Sequence, residues 1–266
     1  MFFRLVLVGG GKMGEALLAG LLSSGWAVPS EVAVVEQLAA RRDELGALFP
    51  GVAVLDAVPA AGVEGAVVAV KPGDVESACL ALGAAGATRV LSIAAGVTLA
   101  RLEGFLPPGT AVVRSMPNTP ALVGAGAAAI APGAAAGADD LAWAEGVLGA
   151  VGIVVRVPEY QLDAVTGLSG SGPAYVCLVA EALVEAGVLN GLARDTAAAL
   201  TIQTLLGTAR MLVESGQSPD MLRAGVTSPG GTTAAGLAAL EDRAVRAAFL
   251  AAVTAATERS RALGTT

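Results

Sequence analysis

Two stretches of this chain carry residue types able to hold and react with a small anionic ligand. The first is VTSPGGTTAAGLAALE, residues 226–241. It opens with a turn, Ser228-Pro229-Gly230-Gly231, and runs into an Ala/Leu-rich helix. A helix start presents free N–H groups and the positive end of the dipole. Two glycines there let a ligand approach the backbone, and Ser228, Thr232 and Thr233 add hydroxyls. Together these would suit a small carboxylate with a polar neighbour. Ser and Thr also favour ordinary helix caps, so the same residues are open to a purely structural reading. The second stretch is Gly9-Gly10-Gly11-Lys12-Met13-Gly14, a G-x-G-x-x-G pattern between a strand-like run at 4–8 and helical residues 15–22. In that pattern Gly9 permits the tight turn, Gly11 lets the backbone approach a pyrophosphate, and Gly14 lets helix and strand pack closely. A second apolar run, 32–35, ends at Glu36, roughly 20 residues past the glycines, where a ribose-binding carboxylate belongs. Strand, glycine loop, helix and acid together point to dinucleotide binding.

Composition narrows the chemistry. The chain has 266 residues, enough for one or two domains, and a net charge of −7 with no basic run, which disfavours nucleic-acid binding. It contains no histidine, so a Ser-His-Asp hydrolase and a His-bearing zinc site are both excluded and no metal is expected. Cys79 and Cys177 lack motif spacing and sit in apolar helical patterns, so both are expected to be buried free thiols. Lys12 and Lys71 are the only lysines among 16 basic residues. One lies in the glycine loop; the other follows an apolar run at 66–70, at the strand end that faces the ligand crevice of open α/β sheets. The uncharged run 116–138 contains three prolines and four glycines, so a lipid-spanning helix is not expected there. The N-terminal apolar run ends in glycines without a clean cleavage site, which suggests a mature cytoplasmic protein.

The elements that must position these residues fall into two kinds. Apolar runs at 32–35, 52–55, 66–70, 90–93 and 111–113 predict buried parallel strands, with helices at 41–48 and 74–82 between them. Further strands are expected at 127–131 and 153–157, and a helix at 139–148. Beyond residue 158 strand-like runs vanish. Helices are predicted over 173–186, ended by Gly187, and over 195–214, ended by Gly216; a short one follows Ser218-Pro219, and two more cover 233–240 and 243–262. The expectation is an α/β protein: a Rossmann-type doubly wound sheet at 1–157, then an all-α domain at 158–266.

The chain resembles the pyrroline-5-carboxylate reductases along nearly its whole length. The marks are the glycine loop, Ala69-Val70-Lys71-Pro72, Ser92-Ile93-Ala94-Ala95-Gly96-Val97-Thr98, Arg114-Ser115-Met116-Pro117-Asn118-Thr119-Pro120, Leu168-Ser169-Gly170-Ser171-Gly172-Pro173-Ala174-Tyr175, and the 226–241 segment. The resemblance implies hydride transfer from NADH or NADPH to the C=N carbon of 1-pyrroline-5-carboxylate, giving L-proline. It implies that Thr233 is the catalytic hydroxyl near the imine nitrogen. The substrate carboxylate would rest on the N–H groups of Gly230, Gly231 and Thr232, helped by Ser228, with Val226 and Glu159 nearby. Lys12 and Met13 would offer backbone contacts to the pyrophosphate; Ala69, Val70, Lys71, Pro72 and Ala95 would line the ribose and nicotinamide end. Asn118 is open to two readings, a nicotinamide ligand or a turn residue before Thr119-Pro120. Glu159 is likewise open: a substrate neighbour or a solvated linker carboxylate. The resemblance further implies helical domains interlocked between two subunits, so a homodimer or a larger dimer-based oligomer.

Relatives of the same architecture, the 3-hydroxyacid and 6-phosphogluconate dehydrogenases, place a catalytic lysine early in the second domain, and this chain has none after Lys71. A dinucleotide sensor would need the glycine loop but not Ser228 to Thr233. On cofactor choice, Glu36 can accept hydrogen bonds from ribose hydroxyls and would repel a 2′-phosphate, which favours NADH. Arg41 and Arg42 stand close by and are able to swing toward a phosphate instead.

Overall fold

The computed structural model describes residues 2–264; the last two positions of the predicted second domain lie outside the described residues. The described residues divide into two compact units, one formed by 2–171 with 255–264, the other by Gly172–Thr254.

The first unit is built on an eight-stranded sheet in the order β3-β2-β1-β4-β5-β6-β7-β8. The strands are β1 (Phe3–Val8), β2 (Val32–Val35), β3 (Ala53–Leu55), β4 (Val63–Val68), β5 (Arg89–Ser92), β6 (Ala111–Met116), β7 (Gly126–Pro132) and β8 (Gly152–Arg156). Helices α1 (Lys12–Ser23), α2 (Ala39–Leu48), α3 (Val75–Ala84), α4 (Leu99–Gly104), α5 (Ala138–Gly149) and α6 (Leu162–Val165) connect or follow them. All neighbouring strands are parallel except β6 and β7. Their connection, 117–125, is shorter than the dozen or so residues a parallel crossover requires. The central strands read as unbroken apolar runs because both sheet faces are covered. Phe3, Val6, Val8, Ala66 and Val68 join one core, and Leu5, Leu7, Val34 and Val67 join the other. β1 pairs with β2 on one side and β4 on the other, so the strand order reverses at the C-terminal end of β1, where ligands bind in open α/β sheets.

The second unit holds α7 (Gly172–Leu189), α8 (Arg194–Ser215), α9 (Pro219–Gly225), α10 (Thr232–Asp242) and the first half of α11 (Val245–Gly264). Gly216, at φ +65°, ends α8 in the left-handed conformation that glycine adopts at little cost. Gly187 does not end α7, which continues to Leu189. A Cβ at Gly187 would lie 2.9 Å from the Ala197 Cβ, so this glycine serves close packing of α7 against α8. Cys79 is buried, whereas Cys177, on α7, is exposed, contrary to the expectation of two buried thiols. Much of α7 and α8 is apolar and uncovered: Val176, Leu178, Ile202 and Val213 are 55%, 65%, 62% and 83% exposed. By length and composition, 159–189 and α8 are each apolar enough to cross a membrane. The uncharged run 116–138 instead forms the end of β6, a 3₁₀ turn and β7.

Candidate functional site

A cavity of about 490 Å³ opens at the C-terminal ends of β1, β2 and β4, lined by Gly9, Gly11, Glu36, Ala69, Val70 and Lys71 among others. Backbone bonds beyond the strands bring these residues together: Gly9 N–H donates to Val35 O at 2.9 Å, and Ala69 N–H to Val8 O at 2.8 Å. Gly9 has φ +112°, and a Cβ there would strike the Ala69 carbonyl. At Gly14 a Cβ would run into the Gly9 carbonyl, so helix and loop meet without side chains between them. Among the described residues, nothing beyond its own chain neighbours lies within 4 Å of where a Gly11 Cβ would project, so that space is open. Gly9 and Gly14 thus meet the close contacts that the pattern predicts of them, and the cradle fits a dinucleotide. Lys12 begins α1 and is exposed; Met13 packs on the core.

Glu36 lines the same cavity with its carboxylate fixed from both sides, Oε2 accepting from Gly10 N–H at 3.1 Å and Oε1 from Leu38 N–H at 2.9 Å. Pro72 and Ala95 face a separate cavity of about 540 Å³, together with Gly96, Val97, Thr166 and Ser171. The expected cofactor residues are thus split between two cavities of the first unit, with Lys12, Met13, Gly14 and Asn118 lining neither.

Asn118 is engaged on both sides of its amide. Its Oδ1 accepts from Ala127 N–H at 2.8 Å and its Nδ2 donates to Ser169 O at 3.1 Å. This arrangement ties β7 to the segment 166–170, and it gives the turn reading a structural basis that the nicotinamide reading lacks. Glu159 is neither a solvated linker carboxylate nor a free acid. Its Oε1 accepts from Arg114 at 2.8 Å and from Leu99 N–H, at the start of α4, at 2.7 Å. Arg114 is nearly buried, its side chain 10% exposed, so removing Glu159 would strand a charge. Glu159 Oε1 is thus engaged in an internal ion pair, and its side chain is 34% exposed.

In the second unit the 226–241 segment forms the turn and helix start that its residues predict. Gly230 has φ +69°, and a Cβ at Gly231 would collide with the Ser228 Oγ. Gly231 is the N-cap of α10. One donor differs from expectation: the Gly231 N–H is spent on Ser228 O at 3.0 Å. The free helix-start donors therefore begin at Thr232. Among the described residues, the hydroxyls of Ser228, Thr232 and Thr233 make no hydrogen bond, and Val226 is 60% exposed.

With this geometry in place, comparison with known proteins is decisive. Residues 159–263 match the family description "Pyrroline-5-carboxylate reductase dimerisation". Residues 4–96 match "NADP oxidoreductase coenzyme F420-dependent". The chain is 48% identical to the pyrroline-5-carboxylate reductase of Synechocystis over 99% of both sequences. It belongs to the pyrroline-5-carboxylate reductase family. The solved pyrroline-5-carboxylate reductase of Coxiella burnetii superposes with a TM-score of 0.94 at 37% identity, covering all of both chains. That of Plasmodium falciparum, solved with NADP bound, gives 0.85 at 30% identity, covering 98% of each chain.

Within this reductase fold, sequence reasoning missed three features. The first is the Arg114–Glu159 pair, whose partners lie 45 residues apart. The second is the engagement of Arg41 beneath the glycine loop. The third is a π-helical turn, Thr166–Gly170, closed by Ser171 N–H to Thr166 O at 2.8 Å. A Cβ at Gly170 would lie 2.8 Å from the Met116 Cε, so the LSGSG motif brings the chain tightly past β6 before α7. A run of Ser and Gly ahead of Pro173 signals a tight passage but not its helical pitch.

Proposed function

We infer that the protein reduces the C=N bond of 1-pyrroline-5-carboxylate to L-proline, the last step of proline biosynthesis, in the cytoplasm. The reading is carried by family membership over nearly the full length, joined to a glycine-lined cavity at the strand-order reversal. NADH or NADPH supplies the hydride when bound. Gly9, Gly11, Gly14, Ala69, Val70 and Lys71 hold it at the sheet, and Glu36 favours the unphosphorylated ribose.

The substrate side rests on α10. The carboxylate is oriented by the N–H groups at the start of α10 and by the Ser228 hydroxyl, with Val226 beside it. Anion stabilisation at a helix start contributes about 0.3–1 kcal/mol, up to about 2 when partly buried, so it positions rather than activates. Thr233 donates its hydroxyl proton in a hydrogen bond at the imine nitrogen, which must carry positive character to accept hydride. Most of the acceleration comes from holding two reactants in one geometry. A homodimer covers the apolar faces of α7 and α8, in keeping with the dimerisation match.

The test is direct. Purified protein is mixed with NADH or NADPH, and absorbance of the reduced nicotinamide is followed before and after pyrroline-5-carboxylate is added. Oxidation should begin only on addition of the imine; folded protein that turns over with neither cofactor would overturn the reading.

A further inference from the structure

Gly10, the middle residue of the glycine loop, is gripped at both of its polar backbone atoms. Its N–H donates to Glu36 Oε2 at 3.1 Å, and its carbonyl accepts from Arg41 Nε at 2.8 Å. The same guanidinium pairs through Nη2 with Glu15 on α1, and donates through Nη1 to Glu44 on α2 at 2.8 Å. All three guanidinium nitrogens are therefore engaged, and the side chain is 22% exposed. Glu15 first, then Glu44, hold its pKa above the ordinary arginine value, so the clamp stays charged. Arg42 is turned back in the same way, its Nη1 donating to Glu36 O at 2.9 Å and Gln37 O at 2.7 Å. Gly10 itself has no spare room: a Cβ would sit 2.5 Å from Leu45 Cδ1 and 3.2 Å from Glu36 Oε2.

An arginine just after the second strand is ordinarily a candidate ligand for a 2′-phosphate. This one has spent its fork on the protein. We propose that Arg41 is a positioning residue: through the Gly10 carbonyl and Glu15 it holds the glycine loop in its ligand-receiving shape, and it takes no part in choosing between NADH and NADPH, which lies with Glu36. Loop shape and ribose recognition then meet at one residue, because Glu36 is itself anchored on the Gly10 N–H. The proposal rests on the reductase reading only in taking a nicotinamide dinucleotide as the ligand of this cavity.

Binding separates the possibilities without turnover. NADH and NADPH are titrated separately into the full-length protein, and dihydronicotinamide fluorescence gives each Kd. Arg41→Ala should weaken both cofactors by about 10- to 100-fold, the scale of one lost charge-assisted hydrogen bond, with the ratio of the two Kd values held within about twofold. Steady-state kinetics should show the same rise in cofactor KM, with kcat at saturation held within about threefold. Arg41→Lys keeps the charge but not the fork, and should recover only part of the loss. Glu15→Gln should weaken both cofactors together, and it reads the clamp even if Arg41→Ala folds poorly. Glu36→Ser, by contrast, should raise the efficiency with NADPH relative to NADH. A loss confined to NADPH in Arg41→Ala would make the arginine a phosphate ligand and overturn the proposal. Unchanged Kd values in folded Arg41→Ala would overturn it too. Wild-type protein that binds neither cofactor would sink the reductase reading, and the proposal with it.

Discussion

The two units of this chain bury their apolar residues very differently. In the first, β1, β4 and β5 are almost wholly enclosed, and two cores cover both faces of the sheet. In the second, no residue of α7 and only Ala197 and Thr201 of α8 are buried among the described residues, although both helices are rich in Leu, Val and Ile. A sheet sandwiched by helices is complete within one chain. A helical unit that leaves this much apolar surface in water is not, and a second copy is the natural cover. On the proposed reading the difference divides the roles: the self-contained unit would present the cofactor cradle, and the incomplete unit would carry the substrate turn and the assembly surface.

Breaking that contrast should have the largest effect. Ile202→Asp places a charge on a residue already 62% exposed, which costs an isolated chain only about 0.5 kcal/mol or less. In a dimer built on α8 the same charge is buried and unpaired, so sedimentation should show dissociation to monomer. Catalytic efficiency should fall by about 100-fold or more while the first unit still binds NADH. A variant that sediments and turns over as wild type would show that α8 faces water in the working enzyme.

Next in size is the substrate turn. Thr233→Ala removes a hydroxyl that makes no hydrogen bond among the described residues and that the proposed mechanism places at the imine. It should lower kcat/KM by about 10- to 100-fold, and Thr233→Ser should lose much less. Equal rates for wild type and Thr233→Ala would remove the hydroxyl from the mechanism.

How much of this was legible in the sequence follows the same divide. The buried strands were read to within a few residues, because a parallel sheet covered on both faces leaves little but apolar side chains at 5–8 or 32–35. The glycine loop and the Ser228–Gly231 turn were readable because backbone geometry limits what can stand there. Gly187 misled, because a glycine that ends a helix and one that admits a neighbouring helix look alike in one dimension. Glu159, Asn118 and Arg41 were open for a related reason. Their partners, Arg114, Ser169 and Gly10, lie 45, 51 and 31 residues away, and only the fold brings them together. A polar residue near a site is a ligand or a brace according to those distant partners.

A smaller effect sharpens the account of the first unit's core. Burial pushes the Cys79 thiol from 9.0 up to about 11. The folded state favours the neutral thiol, so the stabilisation is intact below pH 9 and is lost as pH rises from about 9 to 11. The loss should approach about 2 kcal/mol at the upper end. Denaturant melts of wild type and Cys79→Ala across that range should converge as pH rises. Parallel curves would mean that the thiol is less enclosed than the core packing indicates.

The central claim is that both units together make one imine reductase, and the identity of the product tests it most directly. The protein is given limiting NADH and excess 1-pyrroline-5-carboxylate, the reaction is run to completion, and amino acids are quantified by chiral chromatography. The account predicts L-proline formed mole for mole with the NADH consumed, and formed about 10- to 100-fold more slowly when Thr233→Ala replaces wild type. NADH consumed without proline, or imine left untouched by folded dimer, would contradict it.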